Sequence, residues 1–224
     1  MPIQQDLLDE VDAALGPGVT TNYSTASAAN DLFEGYVFSL VIAAARAEEA
    51  QVSFEDVNEA SVTSLLFRTS PGFIYSRAQP YTHARIAFPR CPELEAHIGI
   101  FVGGRSGVLH ECDVAVIDRR EAQICRAAGV HPRSGKILVT LECKFHAGTL
   151  QLGQARSFLG LTAELTKNNR FLVTNNSSET AEKMVAYHKA EWEFRLDLTN
   201  PDIALNLRSR LARAFRNFKA TRRI

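Results

Sequence analysis

The segment "VTLECKFHAG", residues 139–148, is an apolar run of the kind that makes a buried strand, yet Glu142 and Lys144 lie inside it. Ionised side chains are costly to bury unless they are paired or do chemistry. In a strand, residues i and i+2 share a face, so Glu142 and Lys144 point together while Cys143 points away. The run before it, "VLHECDVAVID", has the same anomaly: Asp113 lies between apolar neighbours, and Glu111 shares its face. Pairing of the two strands brings an Asp, a Glu and a Lys together. Carboxylates with backbone carbonyls form a hard, oxygen-rich site suited to Mg²⁺ or Mn²⁺. A metal held there lowers the pKa of bound water and neutralises charge on a phosphate.

The rest of the chain supplies helices and strands around this pair. Gly16-Pro17-Gly18 ends a short first helix, and residues 25–50 read as a second, with Asn30 or Asp31 as its cap. A helix is expected near 55–67, broken by "TSPG". Strands are expected at 97–102 and 108–117, joined by a Gly-rich turn, and over "KILVTLECKF". Residues 119–135 show little periodicity and read as a connection. An amphipathic helix over 150–166 and a strand over "NRFLVTN" follow. Ser178 caps a helix over "ETAEKMVAYHKA", "EFRLDL" reads as a last strand, and Pro201 starts a final helix. A meander followed by a helical crossover gives an α/β fold with a mixed central sheet and flanking helices.

Asp113, then Glu142-Cys143-Lys144 on the next strand, then a helix, resembles the PD-(D/E)XK nuclease superfamily over residues 28–175. The pattern is nearest to bacterial anti-phage effector nucleases. The literal "PD" is absent, since Cys112 precedes Asp113. The resemblance implies an αβββαβ restriction-endonuclease-like core; chain length and residue pattern give a single domain over 1–224, with an N-terminal helix in 1–27 and an α/β extension over 176–224. It implies that Asp113, Glu142 and the Cys143 carbonyl bind Mg²⁺, with Mn²⁺ as a substitute, while Lys144 serves the attacking water. Glu34, on the first core helix, and Gln154, on the helix after the lysine, match positions that some members use. The implied activity is hydrolysis of DNA phosphodiesters, with double-stranded DNA as the partner and a role in antiviral defence. A homo-oligomer matches the two strands by symmetry. An uncontrolled nuclease is harmful, so an activating ligand or partner protein is expected.

Each residue also has a plainer reading. Glu142 and Lys144 can be a structural ion pair, although positions i and i+2 are further apart than an ideal pair requires. Glu34 can be a solvated helix residue, Gln154 a cap, and His110 and Glu111 supporting or merely solvated groups. The alternative function is a non-catalytic nucleic-acid-binding or assembly subunit on the same fold. A zinc site from Cys112, Cys125, His131, Cys143 and His146 has no standard spacing. "GVHPRSGKI" fails the Walker pattern, because five residues separate its glycines and Ile137 follows Lys136.

Charge is zero overall but unevenly placed. Residues 1–60 hold Arg46 as their only strong base, whereas the last 17 residues carry six Arg and one Lys with no acid. The basic end either meets a polyanion or docks on the acidic half. Lys136, Arg133, Arg156 and this tail are the expected sources of positive charge for DNA. The four cysteines read as reduced thiols, and no apolar run is long enough for a membrane helix, so a cytoplasmic protein is expected.

Overall fold

The computed structural model describes residues 2–165 and 169–222. Helix α1 (Pro2–Leu15) leads through the short β1 (Thr20–Thr21) to α2 (Ala29–Ala47). Strands β2 (Gln51–Asp56), β3 (Ser64–Leu65), β4 (Thr82–Ala87), β5 (Leu94–Gly103) and β6 (Leu109–Asp118) follow. Then come α3 (Arg119–Ala128), β7 (Ile137–Lys144), α4 (Leu152–Glu164) and β8 (Arg170–Thr174). The chain ends with α5 (Glu179–Tyr187), β9 (Glu191–Glu193) and α6 (Pro201–Thr221).

The main sheet has the order β2-β4-β5-β6-β7-β8-β9. Neighbours from β2 to β7 pair antiparallel. The α4 crossover then makes β8 parallel to β7, and β9 is parallel to β8. The architecture is therefore mixed α/β, as the patterning implies. Alternation along β6 sorts its side chains. Val114 and Val116 join a core with α1, α2 and α6, while Ala115 and Ile117 pack with Ala122 and Cys125 of α3. Residues of α1 and α6 share the first core with the central strands, so both terminal segments belong to the same packing unit. Helix α2 is apolar on nearly all sides because it lies between α1, α6 and the sheet.

Several local expectations give way. Residues 55–67 are not helical: they hold the end of β2, a turn and β3, and the Asp56 carboxylate stops the first of these strands. Its Oδ1 accepts the N–H groups of Asn58 (2.8 Å) and Ala60 (2.9 Å), which fixes a turn. The expected connection at 119–135 contains α3. Asp118 caps it by accepting the Glu121 N–H at 3.0 Å, and Gly129 closes it with φ 66°. Its buried face carries Arg119 and Glu121, so no apolar stripe announces it. Helix α2 starts after Ala28, so neither Asn30 nor Asp31 is its cap; Asp31 lies in the first turn, where a negative charge suits the helix dipole. The last strand is Glu191–Glu193, not "EFRLDL": Arg195 takes a left-handed φ of 61° and ends the extended run.

The basic tail is largely paired within the chain. Lys219 reaches Glu48 at 3.0 Å and Arg216 pairs with the same carboxylate. Arg210 pairs with Glu193 at 2.6 Å and Glu191 at 3.3 Å. Leu207, Leu211, Ala214, Phe215 and Phe218 bury the opposite side of α6. No helix among the described residues is long and apolar enough to cross a membrane.

Candidate active site

The β6–β7 ladder is paired as far as Val114 opposite Leu141. Beyond that rung the Asp113 carboxylate takes over from the backbone. Its Oδ2 accepts the Cys143 N–H at 2.7 Å and a hydrogen bond from Lys144 Nζ at 3.2 Å. Lys144 Nζ also meets Glu142 Oε1 at 2.8 Å. The two groups do pair, although they lie two apart on one strand, because the lysine stem is long enough to fold back to its i−2 neighbour. The three side chains therefore form one cluster, in which Asp113 is the most enclosed, with a side-chain exposure of 6% against 18% for Glu142.

Backbone geometry points a carbonyl into the same place. In an extended strand a residue's N–H and C=O face the same neighbour. The Lys144 carbonyl accepts from Asn175 N on the β8 side, and the Cys143 N–H faces Asp113. The Cys143 carbonyl thus faces the β6 side, while its thiol is buried in the apolar core.

Helix α2 adds a third acid. Phe33 packs its ring on Phe145 with centroids 5.5 Å apart, which fastens α2 beside the end of β7. Glu34 follows Phe33. Burial, and then the Asp113 charge, push the Glu34 carboxyl up to about 9, with Lys144 acting in the opposite sense. Glu142 is raised to about 6 by burial and then by Asp113. Glu111 is raised by burial and by Asp113. Burial disfavours the Lys144 ammonium, but Asp113 and Glu142 outweigh it, and the lysine is held protonated. The carboxylates here repel one another more than a single lysine relieves. A bound cation is what such a group favours.

Other expected participants lie elsewhere. Gln154 completes the start of α4: its Oε1 accepts the Gln151 N–H at 3.0 Å and its Nε2 meets the His146 ring. It makes no hydrogen bond to Asp113 or Glu142 among those described. His110 faces Glu164 at 3.7 Å. Lys136 precedes the first residue of β7, so it stands about 26 Å of extended chain from Lys144 and cannot share a phosphate with it. Arg133 beside it is tied to Glu121 at 2.6 Å. Two clefts of about 580 Å³ each lie at that far end and are lined in part by Lys136. Arg156 is exposed on α4. The five Cys and His residues weighed for zinc are dispersed: Cys125 is in the α3 core, Cys143 in the α2 core, and His131 is packed beside Phe73 and Tyr75.

One cluster escaped the sequence reading altogether. His83, Glu95 and His97 are the one set of three or more potential metal-ligating side chains, among the described residues, with ligand atoms within 4.8 Å of one another. The signal was present as "THAR" and "LEAH", where ionisable residues alternate with apolar ones in two paired strands. Comparison of the chain with protein-family models, curated proteins and solved structures finds no match.

Proposed function

We propose that this chain is a metal-dependent nuclease of the PD-(D/E)XK type, with Asp113, Glu142 and Lys144 at its centre. The observation that carries the reading is the convergence of these three groups, with Glu34, at the point where β6 and β7 part. The sequence of α2, β5, β6, β7, α4 and β8 supports the αβββαβ core that the resemblance implies, with β2 and β4 added at one edge and α3 inserted before β7.

The donor set fits Mg²⁺ or Mn²⁺, since it offers carboxylate oxygens, a backbone carbonyl and excess negative charge. Asp113, Glu142 and the Cys143 carbonyl would hold the ion. When bound, it supplies charge neutralisation at a phosphate and acidifies a coordinated water. Lys144 is held as an ammonium, so it donates hydrogen bonds and orients a water rather than accepting its proton. Glu34, raised to about 9 by burial and by the Asp113 charge, is held protonated near neutral pH in the metal-free chain, so there it can donate a hydrogen bond but cannot accept a proton. DNA, an oligomeric state and an activating ligand remain part of this proposal. The pairing of α6 with Glu48, Glu191 and Glu193 shows that several of its bases are already engaged within the chain.

Supercoiled plasmid incubated with the full chain and Mg²⁺ or Mn²⁺ tests the reading. Conversion to nicked or linear DNA, abolished by EDTA, is the expected result. No conversion, with no stabilisation of the protein by Mn²⁺, would overturn it.

A further inference from the structure

The second cluster lies on the sheet face beneath α3. Glu55 on β2 is directly opposite His83 on β4. Extending the β4–β5 register by one residue from Ala84 opposite Ala96 puts His97 opposite His83. Glu95 lies two residues from His97 and shares its face. Three neighbouring strands thus present Glu, His, His and Glu in one patch. Both imidazoles are fully buried, and their rings stack with centroids 4.8 Å apart and planes 17° apart.

The polar atoms of this patch converge on a small volume. His97 Nε2 is 3.0 Å from Glu95 Oε2. His83 Nε2 is 3.5 Å from that same oxygen and 3.6 Å from Glu55 Oε2. His83 Nε2 has no hydrogen-bond partner, nor has Nδ1 of either ring. Nothing in the cluster therefore fixes the His83 tautomer, and a fully buried polar side chain aims at two carboxylate oxygens without bonding to either.

Charge gives an independent reason to expect a cation. Glu55, Glu59, Glu93 and Glu95 are linked through Arg85, Arg119 and Arg126. Four carboxylates against three guanidiniums leave one negative charge for His83 or a bound cation to offset, at the buried end of the network where Glu55 and Glu95 lie. Arg119 reaches Glu55 Oε2 at 2.7 Å, and Arg126 reaches Glu95 Oε2 at 2.8 Å. Each of those oxygens has a second lone pair for a ligand on the imidazole side.

A protonated His83 is one way to supply the missing charge. Charge-assisted N–H···O bonds, however, close to about 2.7–2.9 Å, and the His83 separations are well beyond that. A tetrahedral ion with bonds of about 2.0–2.2 Å instead sets its ligand atoms roughly 3.3–3.5 Å apart. Glu95 Oε2 stands 3.0 Å from His97 Nε2 and 3.5 Å from His83 Nε2, near that value. We propose that His83 Nε2, His97 Nε2 and Glu95 Oε2, whose ligand atoms lie within 4.8 Å of one another, form a structural site for one Zn²⁺-class divalent transition metal ion. It ties β4 to β5 beneath α3, beside Glu55 of β2, and is separate from the oxygen-rich centre of Asp113 and Glu142. Mixed imidazole and carboxylate donors favour Zn²⁺ or Co²⁺ over Mg²⁺.

The test loads the full-length protein with Zn²⁺, removes excess metal by gel filtration, and measures zinc content and X-ray absorption. The expected result is one retained equivalent, with two imidazoles in the coordination shell. That equivalent should persist in an Asp113→Ala/Glu142→Ala double variant, whether or not the nuclease reading holds, and be lost in His83→Gln and in His97→Gln. Zinc absent from the wild type, zinc in an all-oxygen shell, or zinc retained by both histidine variants would overturn the proposal. Should the histidine variants fail to fold, the wild-type spectrum still decides, because it reports the ligands directly.

Discussion

Asp113 and Cys143 are joined across β6 and β7 by a side-chain-to-backbone hydrogen bond of 2.7 Å, just beyond the last paired rung of the ladder. The carboxylate therefore has a structural duty as well as its proposed chemical one, and substitutions can separate the two.

Asp113→Asn keeps a carbonyl oxygen that can accept from Cys143. Its metal-free melting temperature should stay close to that of the wild type, while cleavage falls by about 10²-fold or more with the loss of a charged ligand. Asp113→Ala leaves the Cys143 N–H without its partner and should cost about 1–3 kcal/mol in addition. Calorimetry of both variants beside a cleavage assay checks the separation.

Lys144 holds the Glu142 carboxyl down by charge and by a hydrogen bond. Lys144→Met removes both, so Glu142 should titrate above about 6 in the metal-free variant. Carbon-13 NMR of the carboxyl reads this directly. Cleavage should fall by about 10²–10⁴-fold if the lysine orients the attacking water.

Glu34 makes stability depend on pH in an uncommon direction. Its folded-state pKa, about 9, is above the ordinary value of 4.5. Between those values the folded chain binds more protons than the unfolded one, so stability falls as pH rises through this window. Glu142 adds a smaller fall between 4.5 and about 6. In EDTA, Glu34→Gln should melt with the wild type near pH 4.5 and above it at pH 8. A relief of even ~1 kcal/mol corresponds to a gain of about 2–4 °C at this chain size. Mn²⁺ should raise the wild type at pH 8 more than it raises the variant.

The last helix should be held by its apolar side more than by its charges. Phe215 is fully buried and packs its ring 5.5 Å from Phe88. Phe215→Ala should cost about 3–5 kcal/mol. Glu48→Ala, which strips Arg216 and Lys219 of their partner, should cost about 1 kcal/mol or less, because those bases are partly exposed. Urea denaturation of the two variants gives the comparison.

What could be read in the sequence, and what could not, divides along a physical line. Strands β6, β7 and β8 and the helices α4, α5 and α6 were legible because apolar residues recur at the spacing of each element. Asp113, Glu142 and Lys144 were legible because a charge inside an apolar run is conspicuous. Glu34 reaches the cluster through the packing of Phe33 on Phe145, a contact between segments more than a hundred residues apart that no local pattern reveals. Strands β2 and β4 and helix α3 were missed because the surfaces they bury are charged. Glu55, His83, Arg119 and Arg126 satisfy one another across elements, and in a linear sequence such residues read as solvated. Gln154 was a fair candidate by position, but its amide is engaged at the start of α4.

The buried charges at the end of β7 are proposed to serve phosphodiester hydrolysis. The most direct measurement is metal-dependent cleavage of plasmid DNA by the wild type beside Glu142→Ala and Lys144→Ala, with folding verified for each. The predicted result is cleavage by the wild type and its loss in both variants. Cleavage undiminished in both would contradict the proposal.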